Sequence, residues 1–307
     1  MSALDVIGLG ISNIDVVLRL EHLPRWDDPG TVSAFTLADG GPAATACAVA
    51  AMFGVRAGFI DTAGNDEMAA RKLGSLEQAG VDTSHMVKRN CPEDHIVIVY
   101  VHEKTGERHF SFLRGFLSQP VRPEELDRDY LTSASYLHLD GSHPEAALQA
   151  ARWMREAGKT VVLDAAATNR PVPDWMRALV TATDVLVCGS GFGTMLTGYR
   201  DHWQAGRAIL AMGPRIVVQT EGVNGSFTVT PDEQFHTPAF KVDVVDTTGA
   251  GDAFHGAYLY GMKSGWDMDR RCRFASAVAA LVCRGLGGRA SAPTLKEALS
   301  FMQNPIQ

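Results

Sequence analysis

Short apolar runs alternate with longer segments of helical period along the 307 residues of the chain. Runs at residues 5–10, 58–61, 136–140, 160–164, 184–188 and 215–219 predict strands. The helical segments 43–53, 67–79 and 144–157 stop at Gly54, Gly80 and Gly158, where a helix end favours a residue free to adopt positive φ. This βαβ rhythm predicts a mostly parallel sheet covered by helices on both faces. Residues 14–37 and 96–113 instead alternate like strands with no helix between, and Lys104-Thr105-Gly106 predicts a hairpin turn. Such strands join a parallel sheet poorly, so a small β-structure projecting as a lid over a pocket is expected.

Composition narrows the class. With 46% hydrophobic and 21% charged residues the chain can bury a sizeable core, and its length suits one α/β domain with insertions. A formal net charge of -7 argues against a nucleic-acid surface, which needs clustered Lys and Arg. The five cysteines form no C-x-x-C pair, so neither a disulfide framework nor a zinc site is indicated, and a cytoplasmic protein is expected. The N-terminus lacks a secretion signal, and no run approaches the roughly 20 apolar residues that cross a bilayer.

The chemistry concentrates in VDTTGAGDAFHG, residues 245–256. It follows a β-type run at 241–245 and precedes a helix with Phe254, Ala257, Tyr258 and Gly261 on its apolar face, so a strand-to-helix turn is expected. The amides of Gly249, Ala250, Gly251 and Asp252 lack intrahelical partners there, and two glycines let them converge without Cβ obstruction. With the positive end of the helix dipole they form an anion hole suited to a phosphoryl group in transfer. Asp252 is expected to stay ionised in that field and to take a proton from an alcohol attacking phosphorus. The plainer reading is a Gly-rich turn with a first-turn acid complementing the dipole.

DTTGAGDAF and a second block, DGGPAATACAVAAMFG at residues 39–54, resemble the signatures of the ribokinase-like, or PfkB, carbohydrate kinases. The blocks VIGLGISNIDVV, AGFIDTAGNDEMAARKLGSLEQAGVDT, VVQTEGVNGSFTV and FASAVAALVCRGLGGRASAP extend the resemblance over nearly the whole chain. It implies a three-layer α/β/α fold with a mostly parallel central sheet and a small β-sheet lid. Residues 1–12, 38–94 and 115–307 would form the core, and residues 13–37 and 95–114 the lid. It further implies an ATP-dependent kinase acting with magnesium on a hydroxymethyl group of a ketose, pentose or related sugar, and a homodimer formed through the lid.

By that resemblance Asp252 matches the catalytic base, and Gly249, Ala250 and Gly251 match the anion hole. Asn13, Asp15, Gly40 and Gly41 match sugar contacts, and Thr45 stands where an Asn is usual. Thr220, Gly222, Gly225, Thr248, Gly251, Ala279 and Cys283 match the nucleotide site. Asp246, Thr248, Gly287 and Ser291 match a monovalent cation site, with potassium as the ion. Two positions depart from the pattern: GSGF at 189–192 replaces a magnesium-organising Asn-x-x-Glu, and Ala166 replaces the Asn of an Asp164-x-Asn motif.

Substrate identity is expected to lie in polar side chains around the lid: His95, Arg108, His109, Arg114, His138 and His143. Among these, Arg114 could clamp an anionic substituent. Within the family the chain looks most like the sulfofructose kinase type. A nucleoside kinase of the same fold, or a regulator that binds nucleotide or sugar without catalysis, are the alternative readings.

Overall fold

A computed structural model describes residues 4–304. Its strands are β1 (Val6–Leu9), β2 (Asn13–Leu20), β3 (Val32–Gly40), β4 (Ala57–Ile60), β5 (Thr62–Ala63), β6 (Val87–Lys88), β7 (Ile96–His102), β8 (Arg108–Phe112), β9 (Tyr136–Leu139), β10 (Thr160–Ala165), β11 (Val185–Cys188), β12 (Ile216–Thr220), β13 (Ser226–Val229) and β14 (Gln234–Thr237). The helices are α1 (Pro42–Met52), α2 (Glu67–Gln78), α3 (Arg128–Ser133), α4 (Pro144–Glu156), α5 (Asp174–Thr181), α6 (Phe192–Thr197), α7 (His202–Leu210), α8 (Ala250–Lys263), α9 (Met268–Val282) and α10 (Leu295–Met302). All six strands read from the apolar runs are present. The three glycines placed at helix ends have φ of 93°, 86° and 69°.

Eight strands form the main sheet in the order β14-β13-β12-β11-β10-β9-β1-β4, parallel from β12 to β4 and antiparallel at β13 and β14. Alternate residues feed two cores, as a two-residue period requires. Val6, Val162, Val185, Val187 and Val218 pack under α1, α8 and α9, while Ile7, Leu9, Val161, Leu163 and Leu186 pack on the opposite face with α4 and α5. The result is a three-layer α/β/α fold. Among the described residues no helix is long and apolar enough to cross a membrane.

A separate four-stranded sheet, in the order β3-β2-β7-β8, contains both stretches that break the βαβ rhythm. Val17, Val97, Val99 and Val101 bury its inner face against Ala38, Phe116 and Leu286. The chain enters β7 through Glu93, whose carboxylate meets Lys72 Nζ of α2 at 2.7 Å with both side chains almost wholly buried. Lys72 Nζ also donates to Thr62 O at 2.9 Å.

One expected strand is absent. Residues 241–245 join no strand among the described residues; Val245 and Asp246 donate their N–H groups to Cys283 O at 2.8 and 3.3 Å. The alternating apolar side chains Phe240 and Val242 are buried against Ala277, Ala280, Phe301 and Met302 of α9 and α10 instead. The turn into α8 therefore follows an extended loop held by a helix end.

Because a buried charge deprived of its partner is costly, Lys72→Met should destabilise the fold by about 3–5 kcal/mol in urea denaturation. Adding Glu93→Gln, which removes the stranded charge, should recover most of that loss. Equal stability of Lys72→Met and wild type would contradict this account of the α2 to β7 junction.

Candidate active site

The carboxyl ends of β1, β9, β10, β11 and β12 lie along one edge of the main sheet, where open α/β folds bind ligands. The first turn of α8 comes to that edge. Gly249 caps the helix in the left-handed region, at φ 70°, and the first i→i−4 bond runs from Ala253 N to Gly249 O at 2.8 Å. Ala250 N donates at 3.4 Å to Thr247 O, the amides of Gly251 and Asp252 precede the first helical bond without a partner among the described residues, and Gly251 has open space where a Cβ would stand. A converging set of donors at a helix N-terminus suits an anion.

Asp246 fastens this turn from behind. Its Oδ1 accepts Thr248 N and Oγ1 at 2.8 and 2.6 Å, and its Oδ2 accepts Gly287 N at 2.9 Å. Three of the four residues matched to a cation site thus meet, with the carboxylate joining the two loops. Ser291 lies apart from that carboxylate and donates its hydroxyl to Leu286 O at 3.3 Å.

Asn13 and Asp15 project from β2 beside the glycines at the end of β3. Asn13 pairs with Gly40 in register, and its side-chain amide donates to Asp15 Oδ1. A Cβ on Gly40 would collide with Asp15 Oδ2, and one on Gly41, at φ 93°, with Ile11 O. Thr45 is buried in the first turn of α1, its N–H bonded to Gly41 O at 2.8 Å. Burial pushes the Asp15 carboxyl up to about 7; Asp252 and Asp39 add to the rise, while Asn13 and Arg289 oppose it. Asp15 and Asp252 therefore share one electrostatic environment.

Asp252 departs from the expectation that it stays ionised. Burial, with the Asp164 charge beside it, raises its pKa to about 7 against the pull of His255 and Arg108. Near neutrality it is divided between acid and base.

The small sheet touches the turn directly. Arg108 Nη1 donates to Thr247 O at 2.9 Å, and Thr247 Oγ1 approaches Gly106 O at 3.5 Å. Of the six polar side chains proposed around the lid, Arg108 alone bonds to this turn. Arg114 and His109 are exposed, and Arg114 makes no hydrogen bond or ion pair among the described residues. His95, His138 and His143 are buried in the framework. His143 Nε2 lies 2.9 Å from Asp61 Oδ1, while Ser12 N and Oγ both donate to Asp61 Oδ2 at 2.7 Å.

At the far end of the edge Thr220 closes β12, with its hydroxyl donating to Cys188 O at 3.2 Å, and Gly222–Asn224 form one 3₁₀ turn. Gly225, at φ 81°, has no room for a Cβ beside Thr237 O, which makes it a requirement of the turn itself. Ala279 is half-buried on α9, and Cys283 caps that helix and holds the 245–246 backbone through its carbonyl. Arg289 escaped the sequence reading. It is buried, bonds to Ser75 Oγ at 2.8 Å, and lies within electrostatic reach of Asp15 and Asp39. The only signal for it was the adjacent Gly287-Gly288 pair.

The description "pfkB family carbohydrate kinase" matches residues 3–295, and the chain belongs to that family. It is similar to an ATP-dependent ribose-1-phosphate kinase of Halopiger xanaduensis, with 30% identity over 297 residues covering 97% of each chain. Ribokinase of Thermotoga maritima is 25% identical, with a TM-score of 0.82 over 98% of this chain and 100% of that one. Arabidopsis thaliana ribokinase, solved with ribose and ATP, shares the fold at 24% identity and a TM-score of 0.82, over 99% of this chain and all of that one. The ribokinase-like fold and phosphotransferase class read from the sequence blocks are thus confirmed.

A carboxyl raised in the folded state holds its proton after the unfolded chain has released it, so its contribution to stability falls as pH rises from about 4 to about 7. Asp252→Asn removes that loss. Its melting temperature should exceed that of wild type by a few degrees at pH 8, and the gain should shrink toward pH 4. Scanning calorimetry at the two pH values reads the difference; a gain independent of pH would contradict the raised pKa.

Proposed function

We propose that this carbohydrate kinase transfers the γ-phosphoryl group of ATP to a hydroxymethyl group of a ketose, pentose or related sugar. The observation that carries the reading is the first turn of α8. The free amides of Gly251 and Asp252 and a carboxyl poised near neutrality, Asp252, lie within electrostatic reach of Asp15. The alcohol oxygen attacks phosphorus, its proton passes to Asp252, the bond from the γ-phosphorus to the bridging oxygen breaks, and ADP leaves. A base with pKa near 7 is well matched to that transfer. The amides of Gly249, Ala250, Gly251 and Asp252 stabilise charge on the moving phosphoryl group.

Asn13 and Asp15 orient neighbouring sugar hydroxyls, and Gly40 and Gly41 let the backbone close on the sugar, with Thr45 behind them. Thr248, Thr220, Gly222, Gly225, Ala279 and Cys283 border the nucleotide. Magnesium accompanies the triphosphate. Gly189-Ser190-Gly191-Phe192 offers one hydroxyl and no carboxylate, a poor donor set for orienting the waters of that ion. Retention of Asp252 speaks against a regulator that only binds.

A nucleoside acceptor is favoured by one observation. Phe110 and Phe112 pair in register with Val99 and Val97, on the Asp15 side of the small sheet, and Phe112 is 59% exposed. Such rings offer a stacking surface for a flat base.

The opposite face of that sheet supports the homodimer. Leu18 aligns with Phe35 and Tyr100, and Val16 with Leu37 and Ile98, forming an apolar outer ladder in which Phe35 is 60% exposed. A contiguous apolar patch of this kind marks an association surface.

An ADP-release assay across ribose, ribose 1-phosphate, fructose, tagatose, a sulfonated ketose, adenosine and inosine, with and without potassium, should reveal one preferred acceptor. Asp252→Asn should lower kcat on it by at least about a hundredfold. Turnover by Asp252→Asn at the wild-type rate would remove the base from the mechanism. In light scattering wild type should run at twice the chain mass and Phe35→Glu at the chain mass; a monomeric wild type would overturn the dimer.

A further inference from the structure

Behind the proposed base lies a cluster that the phosphoryl transfer does not use. His138 of β9 pairs in register with Val162 of β10, so Asp164, two residues on, stands on the same face of the sheet. His255 of α8 comes down on that face one helical turn after Asp252. One ligand atom from each of the three side chains lies within 4.8 Å of the others. His255 Nε2 and Asp164 Oδ1 are 3.2 Å apart. Relative exposures are 0% for His138, 7% for Asp164 and 5% for His255.

The hydrogen bonding of this cluster is incomplete. Both ring nitrogens of His138 and Nδ1 of His255 are buried without a partner. Each such atom costs about 1–3 kcal/mol, a penalty a leucine at the same position would avoid. We infer that His138, Asp164 and His255 form a binding site for a borderline transition-metal dication, of which Zn2+ is the representative. Two imidazole nitrogens and one carboxylate oxygen are a common ligand set for such ions, leaving a fourth position for water; Asp164 stands one residue before the end of β10. Magnesium prefers an all-oxygen octahedron, so this site is distinct from the ion that travels with the nucleotide.

The protonation states agree with this assignment. Burial holds the His138 imidazole neutral, with a pKa of about 3, and Asp164 is kept below its ordinary value, against its own burial, chiefly by the neighbouring His255. An unprotonated imidazole and one carboxylate charge are thus available to a metal ion at this cluster.

This inference stands apart from the kinase reading and is tested without nucleotide. Full-length protein is stripped with chelator, dialysed against Zn2+ and analysed for bound metal, and Co2+ is added in parallel to read its visible absorption. Wild type should hold one more Zn2+ per chain than His138→Leu and should develop Co2+ bands that the variant lacks. His138→Leu should weaken the affinity by more than about tenfold while melting no lower than wild type, which separates lost binding from lost folding. Equal Zn2+ content in the two folded proteins, with the ions on surface histidines, would overturn the assignment.

Discussion

Close approach of backbone to carboxylate and carbonyl at Gly10, Gly40 and Gly41 is the constraint on which the rest of the site depends. A Cβ on Gly10 would occupy the position of the Asp140 carboxylate, one on Gly40 that of Asp15, and one on Gly41 would strike Ile11 O. With those contacts intact, Asp140 Oδ2 accepts Ile11 N at 2.8 Å and Ala43 N at 3.2 Å, and Asp61 accepts Ser12 N. Two carboxylates at the ends of β9 and β4 thus receive the chain as it leaves β1. They turn it out of the main sheet into β2, and they seat the start of α1 beside it. A side chain at any of the three glycines would wedge the two sheets apart and move Asn13 and Asp15 away from α8.

The carboxylates gathered at this edge show why burial alone does not decide ionisation. Asp61 and Asp15 are both buried, yet their pKa values move in opposite directions. Asp61 has Ser12 N, Ser12 Oγ, Thr62 N and His143 as donors, and Lys72 nearby, so its charged form is fully solvated by the protein. Asp15 has one side-chain donor, Asn13, and faces two further acids. Donor count separates a carboxylate that builds the framework from one left unsatisfied for a ligand. In the proposed function, hydroxyls of a bound sugar supply the donors Asp15 lacks.

Much of this was legible in the sequence because local periodicity and glycine placement are strong signals. Strands at the carboxyl edge, the helix-ending glycines and the turn before α8 all follow from runs shorter than 15 residues. Failures came where the deciding partner is remote. The Lys-Val-Asp-Val-Val alternation at 241–245 has a strand's period, but α9 and α10 rather than a neighbouring strand receive its apolar side. Arg108 and Arg114 look alike in sequence, and only the packing of the hairpin on Thr247 distinguishes them. Arg289 comes within electrostatic reach of Asp15 and Asp39 from the opposite end of the chain, which no local pattern encodes.

The misjudged ionisation of Asp252 is a matter of relative magnitude. A helix N-terminus favours a nearby carboxylate by about 0.3–1 kcal/mol, and by about 2 in partly buried settings. Moving a carboxyl from 3.8 to about 7 corresponds to about 4 kcal/mol in the other direction. Desolvation and the Asp164 charge therefore outweigh the dipole. The sequence displays the dipole openly, as an acid in the first turn, whereas burial and Asp164 arrive from another layer of the fold. The same helix start is thus read differently by its two occupants. In the proposed transfer, a phosphoryl group brings several oxygens to the free amides and is held by direct hydrogen bonds. The carboxyl of Asp252 makes no such bonds, feels only the field, and is left free to exchange its proton.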